Sequence, residues 1–311
     1  MTTRITAGMV QRSILADLNK INDKLAQTQA KAASGKEITK PSDDPFGAAR
    51  AMALRQEQSA NAQHQRNVQD ARGWQDTTET ALSSMTDAIQ RARDLVTQGS
   101  TDSADQTSRD AIASELEQLL AGIKQDANAT YNGAYVFGGT KTDSAPYADA
   151  DDAYHGDRAG AVPALAGDPA TGIVRQIGPG VSVSINIVGS DLLGNGISGD
   201  GKLISTLRDT IAHLKSGDGV ALRNTDLKAL DSQVDSLLAV RARNGAQSNR
   251  LDSALTRLQQ VSEVTNKQLS DTEDADIAKT LIDLNSQSAA YSAALRSGAT
   301  IVQTSLMDFL R

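Results

Sequence analysis

The sequence predicts a mainly α-helical protein with a β-rich insert, its long antiparallel helical coiled-coil rods built from both chain termini. Three observations carry this. The last stretch holds an unbroken, proline-free heptad seam through Ile277, Leu281, Leu284, Ser288, Tyr291, Leu295, Gly298, Val302, Ser305 and Phe309. A second register runs through six heptads from Leu227 to Leu269. Between the helical halves, residues 131–202 hold most of the glycines and prolines and four of the five tyrosines. A helix cannot bury its own seam, so the last stretch needs a partner, either within the chain or in another copy.

Taken in order, residues 7–33 read as helix, because Ile14, Leu18, Ile21 and Leu25 fall on one face and Thr28 and Ala32 continue the row. At ~1.5 Å per residue such a rod is about 40 Å long. Ser34-Gly35 is a stop signal, and Pro41 and Pro45 exclude helix through KEITKPSDDPFGAAR. Asp44 ahead of Pro45 has the form of an N-cap followed by proline at the first helical position. Asp43 and Asp44 are both read as caps here, with a charge contact between subunits open to them as well. Residues 46–98 form the second helix on the row Thr78, Leu82, Met85, Ile89, Ala92, Val96, and its first half is polar all round. Gly99–Asp105 is a turn, and residues 107–129 are a third helix on Ile112, Leu116, Leu119 and Ile123.

In the insert, VSVSINIV at 181–188 alternates apolar and polar residues and is the clearest strand, with YVFGGT and GIVRQI as further strands. Residues 203–215 return to helix, and the long register from Leu227 has a polar middle at Arg241 to Ser248. The final seam starts at Ile277, one residue out of phase with that register. The break, SDTEDAD at 270–276, reads as a hinge with a Ser270-x-x-Glu273 capping box.

The chain is thus symmetric about its middle, and folding back on itself gives three domains. Residues 1–40 with 271–311 form a terminal coiled coil, 41–130 with 203–270 a helical rod, and 131–202 the inserted domain. Charge supports the terminal pairing: residues 1–40 carry seven Lys/Arg against three acids, and 271–311 carry six acids against three bases. Small residues such as Ser286, Ala289, Ala290, Ala293 and Ala294 surround the last helix, which allows close packing on several sides.

Composition narrows the function classes. Aromatics make up 3 % of the residues and the net charge is −7, which argues against nucleic-acid binding. There is no cysteine, so disulfides, thiolate metal sites and cysteine nucleophiles are excluded. No apolar run approaches the ~18 residues of a membrane span. MTTRITAGMVQRSIL lacks the apolar segment and cleavage site of a Sec signal peptide.

Three stretches bear on chemistry. Gly196-x-x-x-x-Gly201-Lys202 matches part of a phosphate-binding loop, but Leu203 stands where a metal-binding Ser/Thr is required, so it reads as a surface turn. Asp149, Asp151, Asp152 and Asp157 lack the spacing of a calcium loop. His64, His155 and His213 lie in separate segments with no HExxH or triad signature. The protein is read as a non-enzyme, with no catalytic, cofactor or metal site.

Several motifs together resemble the bacterial flagellins, and more narrowly the branch of that family at the hook–filament junction. SGKEITKPSDDPFGAAR (34–50) resembles the family link after the first terminal helix, with Pro41 and Pro45 in the junction-type form rather than the filament-type alanines. RNGAQSNRLDSA (243–254) resembles the family's Gly-Ala-x-x-Asn-Arg segment at Gly245, Ala246, Asn249 and Arg250. TEDADIAKTLIDL (272–284), SLMDFL (305–310), YVFGGTKTDSAPY (135–147) and AYHGDRAG with VSVSINIVGSDLLG complete the likeness. The resemblance implies an extracellular structural subunit of the flagellum, joining hook to filament, with a filament flagellin as the alternative. It implies type III export with a flagellar chaperone, and self-association between a hook-side junction protein and the flagellin filament. Ile14, Leu18, Ile21, Leu25, Ile277, Leu281, Leu284, Tyr291, Leu295, Val302 and Phe309 are the expected assembly interface. Pro41, Asp43, Asp44 and Pro45 are the expected interdomain link.

Overall fold

The computed structural model describes residues 7–148, 151–157, 172–196 and 199–309. In sequence order the elements are α1 (Ala7–Ser34), α2 (Pro45–Gly99), α3 (Gln106–Ala127), β1 (Thr130–Tyr131), β2 (Ala134–Tyr135), β3 (Val174–Gly178) and β4 (Val181–Ser184). They continue with α4 (Gly189–Leu193), α5 (Leu203–Ser216), α6 (Gly219–Ala221), a π-helical turn (Leu222–Asp226), α7 (Leu227–Glu273) and α8 (Ile277–Phe309). Among the described residues no helix is long and apolar enough to cross a membrane.

The helix ends follow from local chemistry. Gly35 takes φ +68°, and its N–H closes the last turn of α1 on the Lys31 carbonyl at 2.9 Å. Asp105 caps α3 by accepting from the Ser108 N–H at 2.9 Å. Gly217, at φ +73°, ends α5. The start of α8 corrects one sequence expectation. Ser270 and Glu273 lie in the last turn of α7, and Asp276 caps α8 by accepting from the Lys279 N–H at 3.1 Å. The chain leaves α7 at Glu273 and re-enters helix at Ile277, which puts Asp276 at the cap position.

The protein divides into two compact units, Met1–Ala60 with Val261–Arg311, and Asn61–Gln260. The second holds the hydrophobic core. Leu82, Met85 and Ile89 of α2, Leu116 and Ile123 of α3, Leu207 and Leu214 of α5 and Leu230 of α7 are all fully buried. Burial of each such residue stabilises the fold by about 1.5–3 kcal/mol. Phe137, Tyr147, Ile185 and Leu193 bring the insert into the same core. The Tyr147 hydroxyl donates to the Gly194 carbonyl at 2.7 Å, and burial pushes its pKa up.

The insert has less sheet than its alternation predicts. Its described strands form two antiparallel pairs, β1–β2 and β3–β4. The 181–188 run stops as a strand at Ser184, where the Asn186 side-chain oxygen accepts from the Ile173 N–H and the Ser184 hydroxyl. YVFGGT keeps strand pairing at Tyr135, opposite Thr130, then turns at Gly139 (φ +71°), with Gly138 bridged to Val188.

The first unit is built differently. Its helices α1 and α8 run antiparallel: Gly35 and Ala275 are joined by a backbone hydrogen bond of 2.9 Å, while Ile14 lies against Gly298. A Cβ added at Gly298 would sit 3.3 Å from Ile14 Cγ2, so the two backbones approach closely there.

Candidate assembly interface

The link after α1 is ordered by its own side chains. Pro41 occupies the second position of a turn closed by the Asp43 N–H on the Lys40 carbonyl at 2.9 Å. Asp43 accepts from the Thr39 hydroxyl (2.9 Å), the Thr39 N–H (3.2 Å) and the Lys40 N–H (2.9 Å). The Thr39 hydroxyl, and then the Lys40 N–H, hold its carboxyl below the usual range. Asp43 therefore organises the turn rather than capping α2, a correction to the paired-cap expectation. Asp44 does cap α2, accepting from the Phe46 N–H at 3.1 Å with Pro45 at the first helical position. Gly47 is closely packed: a Cβ there would lie 2.4 Å from Asp44 Oδ2 and 2.6 Å from Ile38 Cδ1, so both side chains would have to move. Phe46 is left 88 % exposed.

The link docks onto the break between α7 and α8. Its backbone pairs with that segment: the Glu37 N–H donates to the Glu273 carbonyl at 2.7 Å, and the Ala275 N–H to the Gly35 carbonyl at 2.9 Å. Glu273 is the centre of this contact. Its buried carboxylate accepts from Lys36 Nζ and from the Arg55 guanidinium. Lys36 Nζ also lies 3.3 Å from Asp274. The hydrogen bond to Glu273 raises the Lys36 pKa, against an opposing contribution from burial. Sequence reasoning grouped Glu273 with its acidic neighbours as a hinge. The available signal was its place four residues after Leu269, on the side of α7 that faces inward.

The faces of α1 and α8 sort the expected interface residues. Ile14, Leu18, Ile21 and Leu25 are all half-buried on one face of α1. On α8 the inward row is Thr280, Leu284, Gln287, Tyr291, Ala294 and Gly298. Leu284 and Tyr291 are therefore turned inward. Ile277, Leu281 and Leu295 stand on an adjacent row, 46 %, 47 % and 46 % exposed, and Ile282 is more exposed still. The side chains of Val302 and Phe309 lie outside the described residues. The sequence seam thus joins two neighbouring rows. α8 is rotated so that small or polar residues at 280, 287 and 294 approach α1, while Ile277, Leu281, Ile282 and Leu295 remain largely uncovered.

The other candidate stretches resolve into structural contacts. Lys202 Nζ donates to the Asp191 carbonyl at 2.6 Å, and Asp200 accepts from the Lys202 N–H, the Asn195 N–H and the Ser205 hydroxyl. A carboxylate thus fills the turn where a bound phosphate would have to sit. Asp151 pairs with His155 at 3.0 Å, and Asp157 accepts from the Thr140 hydroxyl at 2.6 Å. Asp152 bridges Lys124 of α3 and Arg208 of α5, while Asp149 lies outside the described residues. His213 Nδ1 lies 2.8 Å from the buried Asp226.

The Asp152 bridge gives a pH dependence. The Arg208 hydrogen bond, opposed by burial, holds the Asp152 pKa below its ordinary 3.8. Its stabilisation is therefore complete above that value and is lost as pH falls through the lower folded value. Urea denaturation at a series of pH values between about 5 and 2 should show stability falling with acid, and Asp152→Asn should flatten that slope.

Comparison with known proteins follows the same architecture. The bacterial flagellin N-terminal helical region matches residues 5–142, and the bacterial flagellin C-terminal helical region matches residues 227–310. Flagellar hook-associated protein 3 of Escherichia coli K12 is 29 % identical over 259 residues, covering 74 % of this chain and 78 % of that protein. A flagellin of Bacillus subtilis is 27 % identical over 290 residues, covering 89 % of this chain and 88 % of its own. A Vibrio parahaemolyticus structure assigned to the flagellar hook-associated proteins superposes with a TM-score of 0.63 at 25 % identity, covering 75 % of this chain and all of that one.

Proposed function

Because the chain belongs to the bacterial flagellin family, we propose that it is a structural subunit of the flagellum that joins hook to filament. The observation that carries this reading is the similarity to hook-associated protein 3 along most of both chains. The role needs no reaction: the molecule is a mechanical adaptor between two helical lattices, exported and assembled outside the cell.

In this reading the α1–α8 hairpin supplies the assembly surface. Ile14, Leu18, Ile21, Leu25, Leu284 and Tyr291 hold the hairpin together, and Ile277, Leu281 and Leu295 meet neighbouring subunits. Pro41, Asp43, Asp44 and Pro45 fix the link between the terminal coiled coil and the helical rod, with residues 131–202 as the outer insert. The partners are further copies of the protein, a hook-side junction protein, the flagellin filament and an export chaperone.

Deleting the gene separates this reading from a filament flagellin. Loss of a junction subunit should release unassembled flagellin into the medium, with bare hooks on the cell. Short, normally attached filaments and no excess secreted monomer would assign the protein to the filament instead.

A further inference from the structure

The sequence holds three Asn-Gly pairs, at Asn132, Asn195 and Asn244. We propose that the first, Asn132-Gly133, is a site of spontaneous covalent modification, at which Asn132 deamidates through a cyclic imide to aspartate and isoaspartate. In this reaction the Gly133 backbone nitrogen loses its proton to solvent base and bonds to Asn132 Cγ. The bond from Cγ to the amide nitrogen Nδ2 breaks, and ammonia leaves. Water then opens the imide at either carbonyl. Glycine is the most permissive following residue, because it puts no side group beside the attacking nitrogen.

The three pairs share chemistry and differ in setting. Asn244 lies inside α7 and is buried, and its side-chain amide donates to the Gln75 carbonyl at 3.2 Å and towards Glu79. Attack there requires opening the helix. Asn195 donates its N–H to Asp200 at 3.1 Å, and Gly196 lies so close beneath Asp152 that a Cβ would be 2.2 Å from its carbonyl oxygen. Asn132 has neither restraint. It sits exposed at the tip of the β1–β2 hairpin, at φ +50° with Gly133 at +81°. Neither its side-chain amide nor the Gly133 N–H has a hydrogen-bond partner among the described residues. The hairpin has only two residues per strand, so opening its tip costs little.

The product would be felt in the core. An isoaspartate adds one carbon to the backbone of a two-residue turn whose ladder has two rungs, Thr130 to Tyr135 and Tyr131 to Ala134. Tyr131 is the adjoining residue. Its ring stands edge-on to Trp74 with centroids 6.3 Å apart, and a Cβ at Gly73 would lie 2.4 Å from its hydroxyl. Shifting the turn unseats Tyr131 from the single tryptophan of the protein.

The test is to hold the folded full-length protein in mildly alkaline buffer and follow the three sites by peptide mass mapping, with enzymatic methylation to mark isoaspartate. Asn132 should convert at least about tenfold faster than Asn195 and Asn244, and the three rates should converge in denaturant. Trp74 emission should change with the same time course. Asn132→Gly keeps a residue at ease with positive φ and should abolish both signals. Conversion at Asn132 no faster than at Asn244 in the folded protein would overturn the proposal. So would a Trp74 change that persists in Asn132→Gly.

Discussion

Replacing Lys36 and Arg55 together by alanine should destabilise the terminal unit by about 3–5 kcal/mol, the cost of stranding a buried charge. Replacing Glu273 alone should cost less, although it removes the same two ion pairs. The asymmetry follows from exposure. The Glu273 side group is 3 % exposed, whereas Lys36 and Arg55 are 38 % and 53 % exposed. Without Glu273 the two cations turn into water. Without the cations the carboxylate stays where water cannot reach it. Adding Glu273→Gln to the double variant should therefore restore most of the loss, because an amide can be buried at far lower cost than a charge. Urea denaturation followed by helical circular dichroism, with limited proteolysis to identify the unit that opens, checks all three results. A double variant within about 0.5 kcal/mol of the parent would mean that the backbone pairing around Gly35 and Ala275 holds the link unaided.

This site also marks where sequence reading succeeds and where it stops. The ends of α1 and α2 were legible because they depend on residues a few positions apart: Gly35 for the stop, and Asp44-Pro45 for the start. The break before α8 was legible because two heptad registers cannot meet out of phase without one. The identity of the cap was not, since four acids lie within SDTEDAD and only the backbone path decides that Asp276 caps while Glu273 turns inward. Glu273 meets cations more than two hundred residues away in sequence, and no local pattern reports a pairing of that separation. The insert was misjudged for a related reason. Alternation at 181–188 fixes which side chains point together, but the strand ends where the Asn186 side group takes over backbone hydrogen bonding. On α8, seven-residue periodicity located an apolar stripe without fixing the helix rotation. Two rows one residue apart share Leu284, Tyr291 and Gly298, and the row that faces α1 is the one carrying Thr280, Gln287 and Ala294.

That rotation supplies the other large effect. Leu281→Asp with Leu295→Asp should leave the stability of the isolated protein within about 0.5 kcal/mol, because surface changes away from packed contacts rarely do more. Both positions are about half exposed, on the row that α1 does not cover. If that row meets a neighbouring copy, burying the exposed half of each leucine contributes about 0.8–1.5 kcal/mol, so losing both should weaken each intersubunit contact by about 1.5–3 kcal/mol. At about 1.4 kcal/mol per factor of ten, this is at least about tenfold in association. Cells carrying the pair should have hooks without filaments and should not swim. Leu284→Asp makes the opposite case. It places a charge on the inward row against α1, so the isolated protein should lose stability before any assembly is attempted. Thermal unfolding of the purified variants, with electron microscopy of flagella, distinguishes the two. Wild-type filaments and swimming in the double variant would remove the outward row from the assembly surface. Unfolding of its monomer would mean instead that the row is needed within the protein itself.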